Sequence, residues 1–157
     1  MPDAVLAALA HAQTPLWVYD IDRGHALVRR TPARGLNPAS GKPLNVKGVV
    51  ASAATQRLYV STLQFLTCFD LLTDQILWER AYDGGCDRMS ISPDGKVMYV
   101  PSLEKEHWHV VNAATGDVIK RLEPIPRAHN TIYGLDGRWV YMGGIGSPLL
   151  HVADPAT

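Results

Sequence analysis

The strongest constraint on this 157-residue chain is an internal repeat of about 40 residues. A tyrosine inside an apolar run recurs at Tyr59, Tyr99 and Tyr141. Three twelve-residue units align on it without a gap: VVASAATQRLYV from Val49, MSISPDGKVMYV from Met89 and TIYGLDGRWVYM from Thr131. A second shared unit follows each, CFDLLTDQILWER ending at Arg80, VVNAATGDVIKRL ending at Leu122 and HVADPAT at the end of the chain. It places Asp70, Asn112 and Asp154 in equivalent positions, and VYDIDRGHALVRR, ending at Arg30, is a further copy. A unit repeated at this period cannot bury its apolar faces alone and must stack on its neighbours.

Each repeat holds four short apolar runs, for example Met89 to Ile91, Val97 to Val100, Trp108 to Val111 and Val118 to Leu122. Turn chemistry separates them. In Ser92-Pro93-Asp94-Gly95 the proline presets φ, the aspartate bonds nearby backbone and the glycine accepts φ > 0; Leu135-Asp136-Gly137 repeats the signal. Thr115-Gly116, matched by Thr73-Asp74 and Arg23-Gly24, marks a second hairpin in each unit. The runs are nearly continuously apolar, as strands buried on both faces require. Four antiparallel strands per repeat, covered by neighbours on both faces, predict an all-β chain built from the blades of a β-propeller. Trp17, Trp78, Trp108 and Trp139 fall in the expected strands and are read as core.

Composition excludes several classes. Fifteen basic and fifteen acidic residues leave a formal net charge of zero, against electrostatic nucleic-acid binding. Every apolar run is cut well short of the roughly 20 residues of a membrane-spanning helix. Cys68 and Cys86 match no metal-ligand spacing, and one pair does not determine a redox state.

The SPDGKVMYV segment followed by WHVVNAATGDVIKRL resembles the YVTN-type β-propeller repeats of bacterial surface-layer and exported proteins. Those repeats are grouped with the propeller chain of quinoprotein amine dehydrogenases. The resemblance covers nearly everything after residue 14 and implies the fold far more than any activity. The chain departs from it at Ala53-Ala54-Thr55-Gln56, where the family has a Pro-Asp-Gly turn, and at Asp154-Pro155-Ala156-Thr157, where an outer strand should begin.

The expected organisation is a lead-in over 1–14 and a partial propeller over 15–157, with repeats near 15–46, 47–86, 87–128 and 129–157. That amounts to about three blades, fewer than the roughly four to eight that close a ring. The expectation is therefore a segment of a longer protein whose C-terminal blades complete the ring, or else self-assembly of incomplete rings. In the lead-in, Ala4 to Ala10 followed by Ala10-His11-Ala12 fits a small-residue cleavage site without a basic segment before it. This and the family resemblance imply export to the periplasm or cell exterior, with a cytoplasmic location as the alternative.

Candidate functional positions lie where each inner strand begins. The repeats make Lys47, Asp87 with Arg88, and His129 with Asn130 equivalent, a mixed-charge cluster expected at the rim of a central channel. One reading is turn capping and salt bridging between blades; the other is recognition of an anion or carbonyl by Lys47, Arg88 and His129, for a small-molecule or protein partner. His107 and His109, two apart, face one side of a strand, and His151 matches His109 in the next repeat. A divalent metal is conceivable there, against backbone bonding of buried imidazoles. Asp70-x-x-Thr73-Asp74-x-x-x-Trp78 resembles the tryptophan-docking motif of pyrroloquinoline-quinone enzymes, but has Asp74 where that motif has glycine, and Lys120 replaces the tryptophan one repeat later. No catalytic residues are expected, since neither a nucleophile constellation nor paired carboxylates emerge. The competing class is the propeller chain of a quinoprotein dehydrogenase or a lactonase-like enzyme.

Overall fold

In the computed structural model, residues 15–32, 39–42, 44–103, 105–124 and 127–157 are described. The expected cleavage site lies outside them. The chain forms two compact units, residues 1–46 and 47–157. Among the described residues there is no helix, and so none long and apolar enough to cross a membrane.

The first unit contains an antiparallel hairpin of β1 (Pro15–Asp20) and β2 (Ala26–Pro32). Trp17 is half exposed, stacks on Tyr19 at 6.4 Å and lies under the Arg30 guanidinium. It is not core as expected, because a two-stranded ribbon encloses nothing by itself.

Three antiparallel sheets follow. The first runs in the order β3 (Val46–Ser52), β4 (Arg57–Thr62), β5 (Phe65–Asp70) and β6 (Ile76–Ala81). The second has β7 (Ser90–Ile91), β8 (Val97–Pro101), β9 (Trp108–Asn112) and β10 (Val118–Leu122), again in sequence order. The third has β11 (Ala128–Tyr133), β12 (Val140–Gly144) and β13 (Leu150–Ala153). These strands coincide with the apolar runs of the repeats.

Burial on both faces holds for the middle strands: β4, β5, β8 and β9 each carry at least four consecutive buried residues. It fails for β10, which is largely exposed, because an outer strand has a neighbour on one side only. One core joins the first two sheets through Tyr59, Leu66, Cys68, Trp78, Met98 and Val111; another joins the second and third through Tyr99, Trp108, Val140 and Met142. Both cysteines are free and fully buried, and burial pushes their thiols up to about 11 at Cys68 and about 12 at Cys86. Trp108 is fully buried, its indole N–H donating to Thr131 Oγ1 at 2.9 Å. Trp139 stands just before β12 and is partly exposed, with Arg138 over its ring.

The turns follow local chemistry. Asp20, Asp70, Asn112 and Asp154 each accept a backbone N–H two residues on through a side-chain oxygen, at 2.9–3.0 Å. Four residues after the first three stand Gly24, Asp74 and Gly116, all with φ between 59° and 78°. Asp74 departs from glycine in type but adopts the same left-handed backbone, a region aspartate tolerates better than most residues.

Candidate functional site

The inner strands of the three sheets approach one another where the repeats place the candidate residues. A Cβ on Gly48 would stand 3.0 Å from Arg88 Cα and from the Asp87 carbonyl, so β3 passes this close only because residue 48 lacks a side chain. Arg88 and Asn130 form a parallel bridge ahead of β7 and on β11.

Asp87 is 1% exposed. Its N–H donates to the Pro101 carbonyl at 2.9 Å and its carbonyl accepts from Ser61 Oγ at 2.9 Å, which ties it to both four-stranded sheets. Its carboxylate accepts from His129 Nδ1 of the third sheet at 2.7 Å. With the proton on Nδ1, His129 Nε2 offers a lone pair, and Arg88 Nη1 donates to it. A buried carboxylate, a half-buried imidazole and an exposed guanidinium thus form one chain of hydrogen bonds. Asn130 is exposed and turns its side-chain oxygen onto the Thr131 N–H at 3.0 Å. Lys47 is partly buried beside Gly48 on β3, and among the described residues its side chain makes no hydrogen bond or ion pair. The repeat alignment thus located four residues that meet, Asp87, Arg88, His129 and Asn130. It did not reveal that three of them bond one another.

His107 and His109 both point at one backbone atom, each Nε2 lying 3.0 Å from the Asp83 carbonyl, with ring centroids 4.7 Å apart. The carbonyl can only accept, so each Nε2 bonded to it carries a proton. Nδ1 of His109 is sealed without a hydrogen-bond partner, and burial holds this imidazole below its ordinary range. His151, on β13 opposite Met142, is not joined to this pair. Among the described residues, no group of three or more His, Cys, Asp or Glu is arranged to hold a metal ion.

Trp78 lies across the sheet boundary. Its indole N–H donates to the Ala113 carbonyl at 3.3 Å, and its ring covers Gly116, where a Cβ would come within 2.9 Å of it. Sequence reasoning overlooked the Ala113 carbonyl, which also accepts from Arg57 Nη1 and the Tyr59 hydroxyl. It also overlooked a concavity of about 590 Å³ between the second and third sheets, lined in part by Tyr99, Lys120 and Tyr133. A signal for that concavity was present in the loss of the tryptophan at Lys120.

No family model and no curated protein matches the chain. Among solved structures, Kuenenia stuttgartiensis hydrazine synthase is similar, with a TM-score of 0.66 at 19% identity; the match covers 79% of this chain and 35% of that one. The chain therefore spans much less than two thirds of that protein, and at this identity the likeness is one of fold alone.

Proposed function

We propose that the chain is a YVTN-type β-propeller segment acting as a binding or scaffold module, its sheets serving as successive blades. Lys47, Asp87, Arg88, His129 and Asn130 form the rim it presents to a small molecule or protein partner. The observation that carries this reading is the convergence of three inner strands at Gly48, Arg88 and Asn130, with polar groups gathered at that end. The similarity in fold to a longer solved chain supports further blades beyond these. Export to the periplasm or cell exterior rests on the resemblance to exported repeat proteins.

Lys47 and the donors of Arg88 not turned to His129 favour a carboxylate or phosphate group, with the Asp87–His129 pair holding Arg88 in position. Titration with a panel of carboxylates, phosphates and acidic peptides tests this. Binding weakened by about 1–3 kcal/mol in Arg88→Ala and Lys47→Ala, with unchanged melting, is expected. Affinity indifferent to both substitutions overturns the rim as the site.

A second reading, the propeller chain of a quinoprotein dehydrogenase, is favoured by one observation, the seating of Trp78 on Gly116. The replacement of that tryptophan by Lys120 in the next sheet weighs against a sustained cofactor-binding ring. Reproducible dye-linked oxidation after incubation with pyrroloquinoline quinone and a divalent metal, or lactone hydrolysis, would replace the binding-module reading with an enzymatic one.

A further inference from the structure

The connection from β6 to β7 joins the two complete four-stranded sheets, and its first turn is pinned by two buried histidines, His107 just ahead of β9 and His109 within it. A carbonyl oxygen has two lone pairs, and the two Nε2–H groups occupy both at Asp83, each at 3.0 Å. Tyr82 lies against the His109 ring at 5.3 Å, and its hydroxyl donates to the Gly116 carbonyl at 2.6 Å. Gly84 and Gly85 follow, both at φ 77°, and a Cβ on Gly84 would stand 3.1 Å from His107 Cε1. Two further ties hold the turn: the Leu103 N–H donates to the Gly84 carbonyl at 2.9 Å, and Arg121 Nη1 donates to the Asp83 carboxylate at 3.2 Å. Cys86 ends the segment and is fully buried.

This packing accommodates one protonation state of His109. With its proton on Nε2, Nδ1 is sealed and has no hydrogen-bond partner. A second proton there would put a charge into a buried ring with no acceptor, 4.7 Å from the His107 ring. The neighbouring charges do not offset that cost: the Arg121 guanidinium opposes the cation, and the Asp83 carboxylate that favours it is already engaged by Arg121. Burial keeps the Tyr82 phenol and the Cys86 thiol protonated, so neither supplies a counter-charge. Lys105, Glu106 and Arg127 line the opening beside His107. Tyr82 and Asp83, which cover the His109 ring and its Nε2, are consecutive residues of the same turn, so displacing that turn uncovers the imidazole to water.

We propose that the His107–His109 pair is an acid-operated latch on residues 82–86, closed while His109 is uncharged and released when it is protonated. The open turn binds the extra proton and the closed turn excludes it, so opening increases as pH falls. The motion stops at Asp87, whose N–H is bonded to the Pro101 carbonyl and whose own carbonyl is bonded to Ser61. Release exposes Cys86, whereas Cys68, on the middle strand β5, stays covered. The inference rests on this turn and is independent of what the rim binds.

Labelling of the 157-residue chain with dithiodipyridine, a disulfide that reacts with thiols in acid, tests the latch when the labelled cysteine is identified by peptide mapping. Rates are divided by those of a small free thiol at the same pH. Labelling of Cys86 should rise at least about threefold from about pH 7 to about pH 5, with Cys68 unlabelled. Amide exchange at Gly85 and Leu103, corrected for the intrinsic rate, should accelerate over the same range while that at Asp87 does not. His109→Gln keeps a donor for the Asp83 carbonyl but cannot take a charge, and it should abolish the pH dependence at Cys86. Equal acceleration at Cys86 and Cys68 in the unsubstituted chain marks global unfolding and overturns the proposal, whatever the variant does. A Cys86 rate indifferent to pH overturns it, as does a pH dependence that survives His109→Gln.

Discussion

At the residue scale, the Asp87–His129–Arg88 chain shows how one buried carboxylate organises its surroundings. Asp87 is held by backbone bonds to Pro101 and Ser61, so its carboxylate has a defined position from which to orient the imidazole. Asp87→Ala should cost about 2 kcal/mol in urea unfolding, and Ser61→Ala less, because the first removes a charged acceptor and the second a neutral donor. Equal costs would mean that the carboxylate contributes nothing through His129. His109 gives a pH dependence of definite sign. Burial holds it below its ordinary 6.5, with His107, Arg121 and Asp83 as the charged or titratable neighbours. The unfolded chain then binds the proton more readily than the folded one, so this contribution to stability is complete above about pH 6.5 and is lost as pH falls below it. His109→Gln should flatten that part of the stability curve; an unchanged slope would assign the fall to other groups.

At the element scale, position within a sheet outweighs residue type. Trp108 begins β9, a middle strand of a four-stranded sheet, and is fully buried; Trp17 sits on a two-stranded hairpin at 49% exposure. Trp108→Ala should cost about 3–5 kcal/mol in a thermal or urea melt. Trp17→Ala should fall within about 1 kcal/mol. Similar costs would mean that Trp17 is covered in solution. The periodic pattern marked both tryptophans as strand residues, but it carried no information on how many strands would lie beside each.

For the whole molecule, surface apolarity governs behaviour. Among the described residues β13 has no strand on its outer side, and Leu149, Leu150 and Val152 are 52–63% exposed. An unpaired strand edge with apolar side chains is a site for association. The 157-residue chain should self-associate in sedimentation at micromolar concentration, and Leu150→Lys should shift it toward monomer. A monodisperse 17.2 kDa species would show that this edge is protected.

What the amino-acid order determined by itself was local: the strand spacing, the Asp or Asn that caps each outer hairpin, and the left-handed residue four positions later. These depend on interactions between residues a few positions apart, so they can be read directly from Asp70 to Asp74 or Asn112 to Gly116. The 40-residue period went one step further and brought Asp87, Arg88, His129 and Asn130 to equivalent places. Only the tertiary structure decided that Asp87 bonds His129, that His107 and His109 share the Asp83 carbonyl, and that Trp78 seals one interface. Each of those outcomes depends on side-chain geometry across stacked sheets, which the order of residues in any one strand does not contain.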